Sequence, residues 1–185
     1  MKEDKINKFE HPVRMAELDP KNTLKRAGFK EGMKLIDIGA GTGIFSFSAA
    51  GISDGDIYAL DISDEMIEIV EERKAEGKIE NLKVLKVESD RLPIEDEVGD
   101  LAIMITVLHE LEKPAIMLKE IKRVLKEEGR LLIVEFYKED TKWGPPENHR
   151  ISEEKVDKLT AESGFEEVDR YSLGENLYGV VYRNK

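Results

Sequence analysis

The sequence predicts an α/β fold: a mostly parallel seven-stranded sheet with helices on both faces and an antiparallel carboxyl-terminal hairpin. Three observations carry this expectation. Through the middle of the chain, short β-type runs alternate with stretches of helical periodicity, the pattern of parallel strands joined through helices. The run over 100–106, DLAIMIT, is nearly all apolar, as a central strand buried on both faces must be. The tail runs 165–173 and 177–183 flank Gly174-Glu175-Asn176, a link so short that the two strands must be antiparallel.

The elements follow in order. Residues 1–30 read as a polar leader with a short helix near 20–27. A first strand over 34–38 runs into a glycine loop and an apolar helix over 44–50. A second strand over 56–60 is followed by a helix. Ser63 suits its N-cap, Asp64 and Glu65 suit the positive end of its dipole, Met66, Ile67 and Val70 face the sheet, and Gly77 is a natural stop. A third strand covers 82–86 and a fourth 100–106. Pro114 then opens a helix with Met117, Leu118, Ile121, Val124 and Leu125 on one face, predicted to end before Gly129. The fifth strand, 130–136, leads into an irregular loop through Trp143-Gly144-Pro145-Pro146, and Ser152 caps a further helix ending near Gly164.

Composition bounds the chemistry. The chain has no cysteine, so disulfides, thiolate metal sites and a cysteine nucleophile are excluded. Its three histidines, His11, His109 and His149, are not spaced as a helical ligand pair, and no metal site is expected. A net charge of −11 argues against a nucleic-acid partner, whose phosphates call for a basic face. No apolar run is long enough to cross a bilayer, and the start MKEDKINKFEHP has no hydrophobic signal core; the expectation is a cytoplasmic protein without a membrane partner, as monomer or homodimer. The 37% charged content, rich in Lys and Glu, is of the kind found in thermophiles.

The stretch LIDIGAGTG, residues 35–43, combines an apolar strand with a tight turn into a helix. Glycines at alternate positions let backbone approach a ligand, and in open α/β sheets ligands lie beyond the carboxyl ends of the strands, where this loop falls. The dinucleotide fingerprint is G-x-G-x-x-G, whereas here the third glycine is Gly43 and position 44 is Ile. Acids sharpen the choice: Asp37 precedes the glycines, Asp61 ends the second strand and Glu88 follows the third. A pyrophosphate is repelled by an acid beside its turn. S-Adenosylmethionine presents an ammonium group, a ribose diol, an adenine amino group and no phosphate, which suits three carboxylates.

LIDIGAGTG, the acid in YALDIS, the ESDRLP stretch and the strand ending in ITVLHEL together resemble the class I S-adenosylmethionine-dependent methyltransferases, and within them the small-molecule, quinone-biosynthesis-like (type 11) group. The resemblance covers about residues 30–137. It implies a Rossmann-like single domain divided into a leader or lid (1–30), a cofactor-binding core (31–137) and a substrate-side loop, helix and hairpin (138–185). It implies that Asp37 orders the methionine amino group and that Gly39, Ala40, Gly41 and Gly43 shape the loop around the methionine portion. Asp61 takes both ribose hydroxyls, Ile62 lies against adenine with Met66 nearby, Glu88 takes the adenine amino group, Ser89 a ring nitrogen, and Thr106 lies beside the methionine end. Where the family carries an aspartate four positions before the Leu of the LP pair, this chain has Glu88, whose longer reach leaves Asp90 as an alternative contact.

Methyl transfer is a direct displacement at carbon, so alignment supplies much of the acceleration, and a base helps only when the nucleophile must lose a proton. His109, in the turn after the fourth strand, is the leading candidate base; the competing reading is that it packs and shapes the pocket. Glu135 and Tyr137 end the fifth strand and are candidates to face the acceptor. Trp143, the only tryptophan, either walls that pocket or pins its loop, and Phe9 and His11 belong to a leader that in similar enzymes folds over the cofactor. No Asn/Asp-Pro-Pro-aromatic run stands at the fourth strand, and the missing cysteine closes covalent routes to pyrimidine C5 and thiol capture of arsenic. A small molecule, quinone-like or otherwise aromatic, is the expected acceptor, with S-adenosylhomocysteine as the other product. The rival readings are an NAD(P)-dependent oxidoreductase on a related sheet and a non-catalytic S-adenosylmethionine-binding protein.

Overall fold

The computed structural model describes residues 6–7, 9–139 and 141–185; residues 1–5 of the expected leader, Lys8 and, in the loop after the fifth strand, Asp140 lie outside the described residues. Alternation along the strands sets the layers, because successive side chains point to opposite faces of a sheet. In β1 (Leu35–Ile38), β4 (Gly99–Ile105) and β5 (Leu125–Phe136), Leu35, Ile103, Leu132 and Val134 join one core cluster, while Ile36, Ile38, Met104 and Ile133 join the other. With β2 (Ile57–Asp61) and β3 (Leu82–Lys86) these strands are parallel. β7 (Leu177–Asn184) is the reversed strand, inserted between β5 and β6 (Phe165–Leu173), so the seven-stranded order is β3-β2-β1-β4-β5-β7-β6. The order reverses between β1 and β4, and at such a switch point the loops leaving the carboxyl ends diverge and open a crevice.

The first cluster is covered by α1 (Pro12–Leu18), α2 (Pro20–Arg26) and α3 (Ile44–Ala50), through Leu18, Leu24, Phe45 and Ala49. α4 (Asp64–Gly77) lies over β2 and β3. The second cluster is covered by α5 (Pro114–Val124) and α6 (Glu153–Glu162), through Leu118, Ile121 and Val156. The leader is therefore part of the core: Leu18 and Leu24 are fully buried, each worth about 1.5–3 kcal/mol. α1 has no counterpart in the sequence reading, because its N-cap is His11 rather than Ser, Thr, Asp or Asn and seven residues are too few to display a period.

Three helix ends differ from expectation. Ser63 occupies the N-cap of α4, but its hydroxyl makes no cap bond; its N–H donates instead to Asp61 Oδ1 at 2.9 Å. That helix runs through Gly77, and Lys78 takes the left-handed cap at φ 51°. α5 stops at Val124 rather than near Gly129. The carbonyls of Arg123 and Val124 are taken by the Glu97 and Val98 N–H groups, and Asn184 Nδ2 donates to the Lys122 and Lys126 carbonyls. Leu125, expected on the helix face, instead opens β5 opposite Gly99, and the strand resumes its register at Arg130 after an excursion with Glu128 at φ 60°.

Candidate functional site

The loop leaving β1 is tied across to β2: the Gly39 and Ala40 N–H groups both donate to the Leu60 carbonyl, at 2.8 and 2.9 Å. Gly39 and Gly41 take φ values of 71° and 55°, which disfavour any side chain. At Gly39 a Cβ would come within 2.6 Å of Val107, whereas beside Gly41 there is open space, so the loop presents bare backbone outward. Gly43 is the N-cap of α3, and the buried Thr42 hydroxyl has no hydrogen-bond partner.

Two of the three strand-end acids are built into this loop. Asp37 is 2% exposed and accepts from Ser46 Oγ on α3 at 2.6 Å. Burial pushes its pKa up to about 7, the Ser46 bond opposing and the Asp61 charge reinforcing the rise. Asp61 accepts from Gly41 N–H through Oδ2 and from Ser63 N–H through Oδ1, both at 2.9 Å, which leaves acceptor capacity on each oxygen. Beside it Ile62 is 77% exposed, while Met66 is buried. The third acid is different. Glu88 and Ser89 are exposed and line a shallow concavity with Leu92, Pro93 and Ile94; Asp90 is paired with Lys113 at 2.8 Å.

At the ends of β4 and β5 the structure joins two residues that the sequence reading treated separately. His109 Nδ1 lies 2.8 Å from Glu135 Oε2, and the His109 N–H donates to Glu135 Oε1 at 3.1 Å. Glu135 is 1% exposed. A carboxylate only accepts, so Nδ1 carries the proton and Nε2 of the neutral ring is left as the basic atom. Burial disfavours the imidazolium, but the Glu135 hydrogen bond and charge, with a contribution from Glu110, outweigh it and raise the His109 pKa above its ordinary value.

Thr106 was expected as the last residue of the fourth strand. It stands one residue beyond, at φ 58°, its N–H donating to the Val134 carbonyl at 2.7 Å. Its hydroxyl accepts from Arg14 of α1 at 3.1 Å, a contact for which the sequence carries no signal. Arg14 also donates to the Phe9 carbonyl at 2.8 Å with its guanidinium over the Phe9 ring, and burial pulls its pKa down to about 10. Phe9 is thus linked to the end of β4 by way of Arg14. His11 is exposed, and its Nδ1 accepts from Val13 N–H to cap α1.

Beyond β5, Trp143 packs edge-on against Phe136 at 5.1 Å, and Phe136 edge-on against His109 at 6.3 Å, so an aromatic wall leads away from His109. Tyr137 lies against the hairpin, its hydroxyl 2.7 Å from Ser172 Oγ and its ring tilted on Tyr178. Arg150, which the sequence reading passed over, is buried and donates to the carbonyls of Tyr137, Glu139 and Pro145 and to Thr141 Oγ1, closing the loop into one piece. Among the described residues no group of three or more His, Asp and Glu side chains is disposed to bind a metal ion, and no helix is long and apolar enough to cross a membrane.

Comparison with known proteins agrees with the fold. Residues 29–178 match the model of a methyltransferase-domain family. A solved structure of a SAM-dependent methyltransferase from Aquifex aeolicus superimposes with a TM-score of 0.93 at 32% identity, covering 98% of each chain. The chain is also similar to the ubiquinone/menaquinone biosynthesis C-methyltransferase UbiE of Idiomarina loihiensis, 31% identical over 119 residues, which are 63% of this chain and 47% of that protein. The demethylmenaquinone methyltransferase of Staphylococcus aureus is 32% identical over 117 residues, 62% of this chain and 48% of that one. The chain spans about half the length of the curated relatives it matches.

Proposed function

The chain belongs to the methyltransferase-domain family, and on that premise we propose that it moves the methyl group of S-adenosylmethionine to a small, quinone-like aromatic acceptor. S-Adenosylmethionine is the methyl donor that the fold and family imply, with S-adenosylhomocysteine as its product. The residues present fit it. Asp37 is a buried carboxylate that no cation meets among the described residues, which is where an ammonium group gains most. Asp61 has lone pairs left for a diol, exposed Ile62 offers an apolar face for a base, and Gly41 leaves room for close approach.

In this reading the donor, when bound, supplies an electrophilic methyl carbon. The chain's own residues supply placement and one proton transfer. Asp37, Asp61 and the glycine loop fix the donor end; Glu88 and Ser89, on the exposed rim, contribute at most a solvent-screened contact to adenine. His109 Nε2, oriented by Glu135 at Nδ1, takes the proton that an acidic acceptor such as a hydroquinone must lose as it attacks. Phe136 and Trp143 give the acceptor ring an apolar wall.

The observation that carries the proposal is the His109–Glu135 pair at the switch-point end of the sheet, beside the Asp37–Asp61 loop. The test is to incubate the protein with S-adenosylmethionine and a panel of hydroquinones, phenols and amines, and to follow S-adenosylhomocysteine release and the added methyl group by mass spectrometry. Methylation confined to ionisable aromatic acceptors and lost in His109→Gln is the expected result. Transfer at an undiminished rate in that variant removes the base, and transfer to amines alone removes the acceptor class.

A further inference from the structure

Asn176, in the turn between β6 and β7, is 2% exposed and joins three segments that are distant in sequence. Its Nδ2 donates to Glu17 Oε1 on α1, its Oδ1 accepts from Lys142 N–H at 3.0 Å, and its backbone carbonyl accepts from Tyr137 N–H at 3.1 Å. One side chain thus fastens the leader helix to the loop that closes the acceptor side. The seat is shaped for Glu17. A Cβ at Gly174, which has φ 64°, would fall 2.4 Å from Glu17 Cγ, and Glu17 Oε2 is buried without a hydrogen-bond partner.

The other contacts of the same leader reach the cofactor loops. Arg14, three residues before Glu17 and so on the same face of α1, donates to Thr106 Oγ1. Glu10 pairs with Arg73, which also donates to the Thr42 carbonyl inside the glycine loop. A continuous set of contacts therefore runs from the glycine loop and the end of β4, through α1, to the acceptor loop.

We propose that Asn176, with its amide orientation set by Glu17, is a positioning residue that couples the seating of α1 over the cofactor to the conformation of the acceptor loop. The inference rests on the reading of that site as a cofactor seat. The physical basis is the two-sidedness of the amide. While the Glu17 carboxylate takes Nδ2, Oδ1 faces the Lys142 N–H; the flipped amide would set oxygen against carboxylate and N–H against N–H. Without Glu17 that bias is gone, and the Lys142 N–H loses its assured acceptor. A contiguous chain of contacts is not itself proof of coupling, so a perturbation has to be read at the far end.

Trp143, the sole tryptophan, follows Lys142 directly and reports on the loop. Wild type, Glu17→Ala and Glu17→Gln are titrated with S-adenosylhomocysteine, following binding by calorimetry and Trp143 emission in parallel. The expected result is a change of emission on binding in wild type and its loss in Glu17→Ala. Affinity in that variant stays within about threefold, since Glu17 touches neither cofactor loop. Glu17→Gln, which keeps an acceptor oxygen, regains the response. A full response in Glu17→Ala, no response in wild type that binds the ligand, or no recovery in Glu17→Gln each overturns the coupling. Failure of wild type to bind at all removes the cofactor reading, and the inference with it. If Glu17→Ala does not fold, hydrogen exchange on wild type decides: the ligand slows exchange at the Lys142 amide, and an unchanged rate overturns the proposal.

Discussion

The carboxyl ends of β1 and β2 and those of β4 and β5 lie on the two sides of the sheet's switch point, two halves built by different means. In the first half the bonded partners are near neighbours on consecutive elements: Asp37 with Ser46, Asp61 with Ser63, and Gly41 with Asp61, twenty residues away. In the second they are drawn from across the chain. His109 and Glu135 are 26 positions apart, Arg14 and Thr106 are 92 apart, and Glu17 and Asn176 are 159 apart. The bonds that hold the two acids of the first half join β1, β2 and the segments directly following them. The second half exists only when the leader, β4, β5 and the hairpin are all assembled.

That difference predicts separable losses. The largest lies in the acceptor half: His109→Gln is expected to slow methyl transfer by about 10²–10⁴-fold while leaving S-adenosylhomocysteine affinity unchanged, measured by product release and calorimetry. In the proposed mechanism neutral His109 is the active form, so its raised pKa is expected to put the acid limb of the rate profile above the 6.5 of an ordinary histidine. Glu135→Gln removes the charge that favours imidazolium, and the limb moves to lower pH. A limb that stays in place contradicts the pairing.

The next effect tests whether the leader belongs to the second half. Leu18→Ala, at a fully buried site, is expected to cost about 2–5 kcal/mol in denaturant unfolding. A dispensable leader would show almost no loss. In the cofactor half, Asp61→Ala is expected to weaken S-adenosylhomocysteine binding by about 1–3 kcal/mol through lost charge-assisted bonds, with the fold intact by circular dichroism. The smallest effect is a proton. Burial pushes the Asp37 pKa up to about 7, so this group disfavours folding progressively as pH rises from its unfolded value toward 7. An ammonium partner favours the carboxylate, so ligand binding below pH 7 releases a proton and tightens as pH rises, levelling above 7. Calorimetry in buffers of different ionisation enthalpy reads this directly, and Asp37→Asn abolishes it.

The same difference governs what the sequence disclosed. The sheet, its reversed last strand, the glycine loop and the places of Asp37 and Asp61 were legible because each rests on local signals: strand alternation, glycines at alternate positions, and an acid at a strand end. His109 and Glu135 were legible singly, but not as a pair; parallel β4 and β5 put their carboxyl ends side by side, and that register is set by packing. Glu88 shows the limit from the other direction. In sequence it is equivalent to Asp37 and Asp61, yet it stands exposed because β3 is the edge of the sheet and no second strand or glycine loop encloses its end. His11 looked like a lid residue and caps a helix whose seven residues hid its period. Arg14, Arg150 and the side-chain contacts of Asn176, which read only as a turn residue, gave no signal, since a polar residue held by long-range contacts looks in sequence like any other polar residue.

The central claim is that the Asp37–Asp61 loop is a seat for S-adenosylmethionine rather than for a dinucleotide. Its most direct test is calorimetric titration of the purified protein with S-adenosylhomocysteine and, separately, with NADH. The expected result is saturable one-to-one binding of S-adenosylhomocysteine, weakened in Asp61→Ala, and no heat with NADH. Saturable binding of NADH, with none of S-adenosylhomocysteine, would contradict it.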